Sequence, residues 1–222
     1  RRAQRRARRC PGGDAAGDTY QNIEGLSGSA FADTLYGSGN DDILRGQGGN
    51  DTLTGSLGAD NMDGGAGFDT ADYGASGAAI SVNLVNGTAS GGDAAGDTLT
   101  GIEHVIGSAF DDQLVGSDFD DMLEGGGGDD TLAGRSGADV LDGGLGFDTA
   151  DYSASTGAIQ LTLDGSVGIG GDAAGDHVLN VEHLIGSQFS DVIIGCDADE
   201  VIEGGGGADM LSGGSGADIL SG

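Results

Sequence analysis

An acidic residue recurs every nine positions in three stretches of this 222-residue chain. The residues are Asp33, Asp42, Asp51, Asp60 and Asp69, then Asp112, Asp121, Asp130, Asp139 and Asp148, then Asp191, Glu200, Asp209 and Asp218. Paired acids such as Asp41-Asp42 and Asp111-Asp112 invite an acid–base reading, but that chemistry needs two carboxyls held in different environments. A carboxylate repeated at one interval occupies the same environment many times over, which is a pattern for holding cations. No Ser/His/Asp order and no phosphate-binding GxxxxGK[ST] is present, so no catalytic constellation is expected in this chain. His104, His177 and His183 form no HExxH and no zinc spacing; they read as strand residues facing solvent.

A nine-residue unit places these acids. From Gly28 the units run GSAFADTLY, GSGNDDILR, GQGGNDTLT, GSLGADNMD and GGAGFDTAD. A second set starts at Gly107 and a third at Gly186, fourteen units in all. Position one is always Gly, position six is the acid, and position eight is apolar, from Leu35 in the first unit to Leu220 in the last. Six residues rich in Gly, Ser, Asn and Asp read as a turn, and the next three as a short strand with its middle side chain turned inward.

Two units then make one coil of eighteen residues. Strands of adjacent coils lie about 4.8 Å apart, so acids eighteen residues apart come into register. The expected pairs are Asp33–Asp51, Asp42–Asp60, Asp51–Asp69, Asp112–Asp130, Asp121–Asp139, Asp130–Asp148, Asp191–Asp209 and Glu200–Asp218. At that distance two carboxylates repel by about 3.5 kcal/mol at an effective dielectric of 20. A dication between neighbouring turns converts the repulsion into attraction.

Donor chemistry selects the ion. The columns offer carboxylates and backbone carbonyls, with Cys196 the one sulfur and no His. All-oxygen coordination from flexible turns suits calcium, and magnesium with its tighter octahedron should substitute poorly. The position-six acids are the expected ligands, completed by turn carbonyls. Glu200, beside Asp199 and Cys196, is longer by a methylene, so a degenerate or weaker unit is expected there. One Leu-sized side chain per unit does not offset the ordering of nine glycine-rich residues. The chain is therefore expected to be largely unfolded without metal and folded with it.

These units resemble the hemolysin-type, or repeats-in-toxin (RTX), calcium-binding nonapeptide G-G-x-G-x-D-x-U-x. With the spacers, the resemblance spans nearly everything after the arginine-rich start. It implies an all-β fold, a parallel β-roll (β-helix-like) solenoid, with Ca2+ bound at multiple positions. It also implies an exported bacterial protein that stays unfolded in a low-calcium cytosol, passes a type I secretion channel and folds outside. A secreted, extracellular or cell-surface location follows from the resemblance and agrees with the scarcity of cysteine. The C-terminal secretion signal of that family is not visible in this sequence.

A longer period encloses the blocks. GGDAAGD begins at Gly12, Gly91 and Gly170, 79 residues apart. The expected organisation is a basic, disordered tail over 1–11 and repeat modules over 12–90, 91–169 and 170–222, the last truncated. Their nonapeptides span 28–72, 107–151 and 186–221. A chain without an initiating Met that stops where another repeat would begin reads as a fragment. In the spacers, Ile80-Val82-Leu84 and Ile159-Leu161-Leu163 alternate and precede turn signals at Asn86-Gly87 and Asp164-Gly165, so strands extending or capping the roll are expected. GGDAAGDTL looks like a nonapeptide with one inserted residue, which makes Asp18, Asp97 and Asp176 secondary metal candidates. Tyr73 and Tyr152, closing the first two blocks, are expected to be packed caps.

The charge balance limits the partners. The chain holds 37 acidic and 8 basic residues, and six arginines fall in the first nine positions. A body this acidic does not bind nucleic acid electrostatically, and no apolar run of about 18 residues offers a membrane span. Calcium ions are the expected partners, with a cell-surface or matrix partner unknown. Two functions remain: a structural or adhesin-like module, or the calcium-binding C-terminal region of a secreted protease, lipase or alginate epimerase whose catalytic domain lies outside this chain. The tandem 79-residue repeat favours the first, because an array builds length rather than a pocket.

Overall fold

The computed structural model describes residues 23–222; the arginine-rich start, Cys10 and Asp18 lie outside them. Pairing follows the eighteen-residue coil. On one face Leu26 pairs with Leu44 and Leu44 with Met62, all in parallel strands. On the other, Leu35 pairs with Leu53 and Leu53 with Ala71. Position-eight side chains fill the space between the faces, and Leu44, Leu53, Met62, Leu114, Leu123, Leu132 and Leu141 are fully buried. A twelve-stranded sheet forms the first face; a seven-stranded sheet, continued by a three-stranded one, forms the second. The fold is the all-β parallel β-roll that the period implies.

Most strands have three residues. Ile43–Gly48, Asn61–Ala66, Met122–Gly127 and Val140–Leu145 have six, because their glycine-rich turns also pair, Gln47 with Gly65 and Gly126 with Gly144.

The spacers depart from the parallel rhythm. Ser81–Asn83 turns back through Asn86-Gly87 into Thr88–Ser90, which runs antiparallel to it and to Thr98–Thr100. Thr98–Thr100 is parallel to Asn61–Ala66, and Ser81–Asn83 is parallel to Gln113–Val115. Three strands are thus inserted in the first face where the second steps directly from Thr70–Asp72 to His104–Ile106. Alternation and the Asn-Gly turn foretold the strands, but not this backtracking, which depends on non-local partners.

The second spacer repeats the insertion with Gln160–Thr162, Ile169 and His177–Leu179, on the second face. Equivalent strands accordingly alternate between faces. Gly25–Ser27 lies in the twelve-stranded sheet, His104–Ile106 in the seven-stranded one, and His183–Ile185 in the twelve-stranded one again. At each insertion Tyr73 or Tyr152 is buried, beside a short 3-10 turn, Gly92–Ala94 or Gly171–Ala173. Among the described residues no helix is long and apolar enough to cross a membrane.

Candidate metal centre

The six-residue turns stack along the two edges of the roll, and backbone N–H groups tie each carboxylate to the coil before it. Asp33 N–H donates to Asp51 Oδ1 at 2.7 Å, Asp42 to Asp60 at 2.7 Å and Asp51 to Asp69 at 2.8 Å. Asp112 donates to Asp130 at 2.7 Å, Asp121 to Asp139 at 2.8 Å and Asp130 to Asp148 at 2.8 Å. Asp191 donates to Asp209 at 3.0 Å and Glu200 to Asp218 at 3.2 Å. The structure brings together all eight register pairs by this bond, which uses one oxygen of each upper carboxylate.

The second oxygen separates two kinds of turn. Oδ2 of Asp51, Asp60, Asp69, Asp130, Asp139 and Asp148 is buried without a hydrogen-bond partner. It lies against the position-one glycine of its own unit, and for Asp51, Asp69, Asp130 and Asp148 a carbonyl of the next coil stands at the same place. A methyl group placed on Gly46 would run into Asp51 Oδ2 and Gly64 O; one on Gly125 would meet Asp130 Oδ2 and Gly143 O; one on Gly64 would meet Asp69 Oδ2 and Gly101 O. Glycine is needed there because two acceptor oxygens already occupy the space. A buried acceptor facing another acceptor is unfavourable for the polypeptide alone. The same arrangement is a donor set for a hard cation.

Among the described residues no three Asp, Glu, His or Cys side chains converge on one point. Backbone carbonyls must therefore supply most of any coordination shell. Burial pushes the carboxyls of Asp60, Asp130 and Asp139 up to about 7, and raises those of Asp51, Asp69 and Asp148 as well.

In the other turns the chain supplies the missing donor itself. The N–H groups of Ser29, Ser38, Ser117 and Ser187 donate to Oδ2 of Asp33, Asp42, Asp121 and Asp191 at 2.5–2.6 Å, and Ser108 N–H does the same to Asp112. The hydroxyls of Ser38, Ser108, Ser117 and Ser187 add a second bond to the same carboxylates. In the degenerate unit the Cys196 N–H and thiol reach Glu200 Oε1 at 3.1 and 2.8 Å, leaving Oε2 without a partner.

Position four decides which turn forms. It is Gly in every turn with a bare Oδ2, and Phe31, Asn40, Phe110, Phe119, Phe189 or Ala198 in the capped ones. Gly58, at φ 134°, packs on the coil before it so closely that a Cβ would lie 2.7 Å from the Asn40 carbonyl. In these turns position two also has positive φ, even at Gln47 (80°), Ser56 (70°) and Arg135 (75°), which aims its N–H away from the acid. The fourteen acids therefore divide into six with a bare Oδ2, five whose Oδ2 is capped by a position-two serine (Asp121 among them, with its Oδ1 left unpartnered), Glu200 capped on Oε1 alone, and Asp209 and Asp218. These last two sit in turns of the bare type but are only half-buried at the end of the stack.

Two acids escaped the sequence reading. Glu103 Oε2 accepts the Asp69 N–H at 2.9 Å, and Glu182 Oε2 the Asp148 N–H at 3.0 Å. Both stand nine residues before a position-six acid, so running the period backward would have found them. Asp97 and Asp176, the secondary candidates, have both oxygens engaged. Oδ1 accepts from Asp60 or Asp139 N–H at 2.8 and 2.9 Å, and Oδ2 from the Tyr73 or Tyr152 hydroxyl at 3.0 and 2.8 Å. His104 and His183 are less solvent-facing than expected: each ring is largely covered, bonds a threonine, packs near Phe68 or Phe147, and approaches Glu124 or Glu203.

Compared with known families, the chain matches the RTX calcium-binding nonapeptide repeat in four copies, over residues 26–53, 36–71, 115–150 and 197–222. No curated protein matches it. The matches pass over most of both spacers and concentrate on the turns with a bare carboxylate.

Proposed function

We propose that this chain, which belongs to the RTX calcium-binding nonapeptide repeat proteins, is a calcium-loaded β-roll array serving as a structural or adhesin-like module outside the bacterial cell. The observation that carries this reading is the set of six buried aspartate Oδ2 atoms with no donor, each against the position-one glycine of its own unit. Calcium supplies the positive charge that these oxygens lack. The chain's own residues do the rest. Position-one glycines leave the space open, position-six carboxylates carry the charge, and Gly64, Gly101, Gly143 and Asn180 turn a carbonyl toward it.

Folding of these turns is coupled to the ion, because ordering them without it buries unpaired acceptors. Type I secretion and an extracellular location fit that coupling, since a calcium-poor cytosol would leave the turns open. The three sequence modules then act as one stacked array that sets a length, without a catalytic role. Calcium titration of the chelated protein, followed by far-UV circular dichroism, tests the coupling. β-structure should grow with calcium, and a spectrum that calcium leaves unchanged would sink the proposal. Asp51→Ala should raise the calcium midpoint several-fold more than Asp33→Ala, because only the former removes a bare oxygen; equal midpoints would refute that assignment.

A further inference from the structure

Bare and capped carboxylates are not scattered along the chain. Residues 46–72 and 125–151 contain all six bare Oδ2 atoms. Residues 73–124 and 152–203 contain the spacers and the two turns that open the next block. There Ser108, Ser117 and Ser187 cap their acids, and Tyr73 and Tyr152 cap Asp97 and Asp176.

The core is divided in the same way. Each 27-residue bare segment buries three apolar side chains: Leu53, Met62 and Ala71 in one, and Leu132, Leu141 and Ala150 in the other. Each 52-residue capped segment buries ten, including a whole tyrosine and, in the first, Ile80, Val82 and Leu99. Per residue the capped segments hold nearly twice as many buried apolar side chains, and their antiparallel inserts make contacts that close short loops. The bare segments have less apolar burial, and each holds three unpartnered carboxylate oxygens in 27 residues against one in each 52-residue capped segment, Asp121 Oδ1 and Glu200 Oε2.

We propose that calcium is required at the bare turns of 46–72 and 125–151, whereas 73–124 and 152–203 keep their fold without it and act as seeds on which the calcium-bound coils assemble. This rests on the calcium-binding reading above and specifies where along the chain calcium is needed. The physical exchange is one for one. In the five turns with serine at position two and a residue other than glycine at position four, the serine N–H fills the place that a cation fills elsewhere; in the Glu200 unit the Cys196 N–H reaches Oε1 and leaves Oε2 bare. Ser56 is the internal control, because serine at position two does not cap Asp60 when Gly58 holds position four.

Amide hydrogen exchange on the whole chain, in excess chelator and then in saturating calcium, tests it. In chelator, amides of 73–124 and 152–203 should exchange at least tenfold more slowly than those of 46–72 and 125–151, and calcium should then protect the latter pair. Equal exchange in all four segments in chelator, fast or slow, overturns the seeds. If calcium protects none of the four, the calcium-binding reading itself fails.

Discussion

Two turns of one column differ by little in sequence and by much in chemistry. The turn at 37–42 reads GSGNDD and the turn stacked on it, at 55–60, reads GSLGAD. Both have serine at position two and aspartate at position six. Yet Ser38 donates its N–H and its hydroxyl to Asp42 Oδ2 at 2.6 and 2.8 Å, while Asp60 Oδ2 is buried with no partner. The difference lies at position four, Asn40 against Gly58. A glycine can enter the left-handed region and pack on the backbone below, and this swings the position-two N–H out of reach. A residue that never touches the carboxylate thus determines whether its second oxygen has a donor.

A change of pH should affect the bare turns most broadly. Asp60, Asp130 and Asp139 are pushed to about 7 in the fold by burial, above their ordinary 3.8. A raised carboxyl contributes stability that is present below the unfolded value and is lost as pH rises through the folded one. The metal-free chain should therefore hold more β-structure at pH 5 than at pH 8, and the calcium-loaded chain should need more calcium at pH 5. Circular dichroism with and without chelator at both values measures this. No difference between pH 5 and 8 in chelator would mean that the bare acids are not strained by charge.

Next in size is the hinge of the comparison. Gly58→Ala places a Cβ against the Asn40 carbonyl at φ 134° and should cost about 1–3 kcal/mol in urea unfolding at saturating calcium. Asn40→Ala, in the exposed capped turn, should stay within about 0.5 kcal/mol.

Tyr73→Phe should be of intermediate effect. It strips Asp97 Oδ2 of its donor in a buried position, at about 1–2 kcal/mol in the same assay. Below it comes Ser38→Ala, which removes the hydroxyl but keeps the N–H. A loss of about 0.5–1 kcal/mol should show in chelator and be matched at saturating calcium, since no ion depends on that oxygen. A calcium-dependent loss would place an ion at Asp42 after all.

The β-roll was legible because its period is covalent. Glycine, acid and apolar residues at fixed positions dictate turn, column and core, and the register of Leu44 with Met62 follows from counting. The difference between bare and capped turns was written in the same units, at position four. It was averaged away because position six looks alike in all of them. Glu103 and Glu182 keep the nine-residue interval to the next acid but lack a glycine five positions before them, so a pattern anchored on glycine does not include them. The antiparallel inserts could not be counted at all, because whether Ser81–Asn83 pairs with the coil before or after it depends on partners far along the chain.

The alternation of equivalent strands between faces gives the array a parity. One 79-residue period carries the chain through an odd number of faces, so the two inserts lie on opposite faces and the strand equivalent to Gly25–Ser27 returns to its own face after two periods. Losing or gaining a single nonapeptide would reverse everything downstream, whereas changes in pairs would preserve it. Whatever such an array displays through its inserts is displayed on two sides in turn.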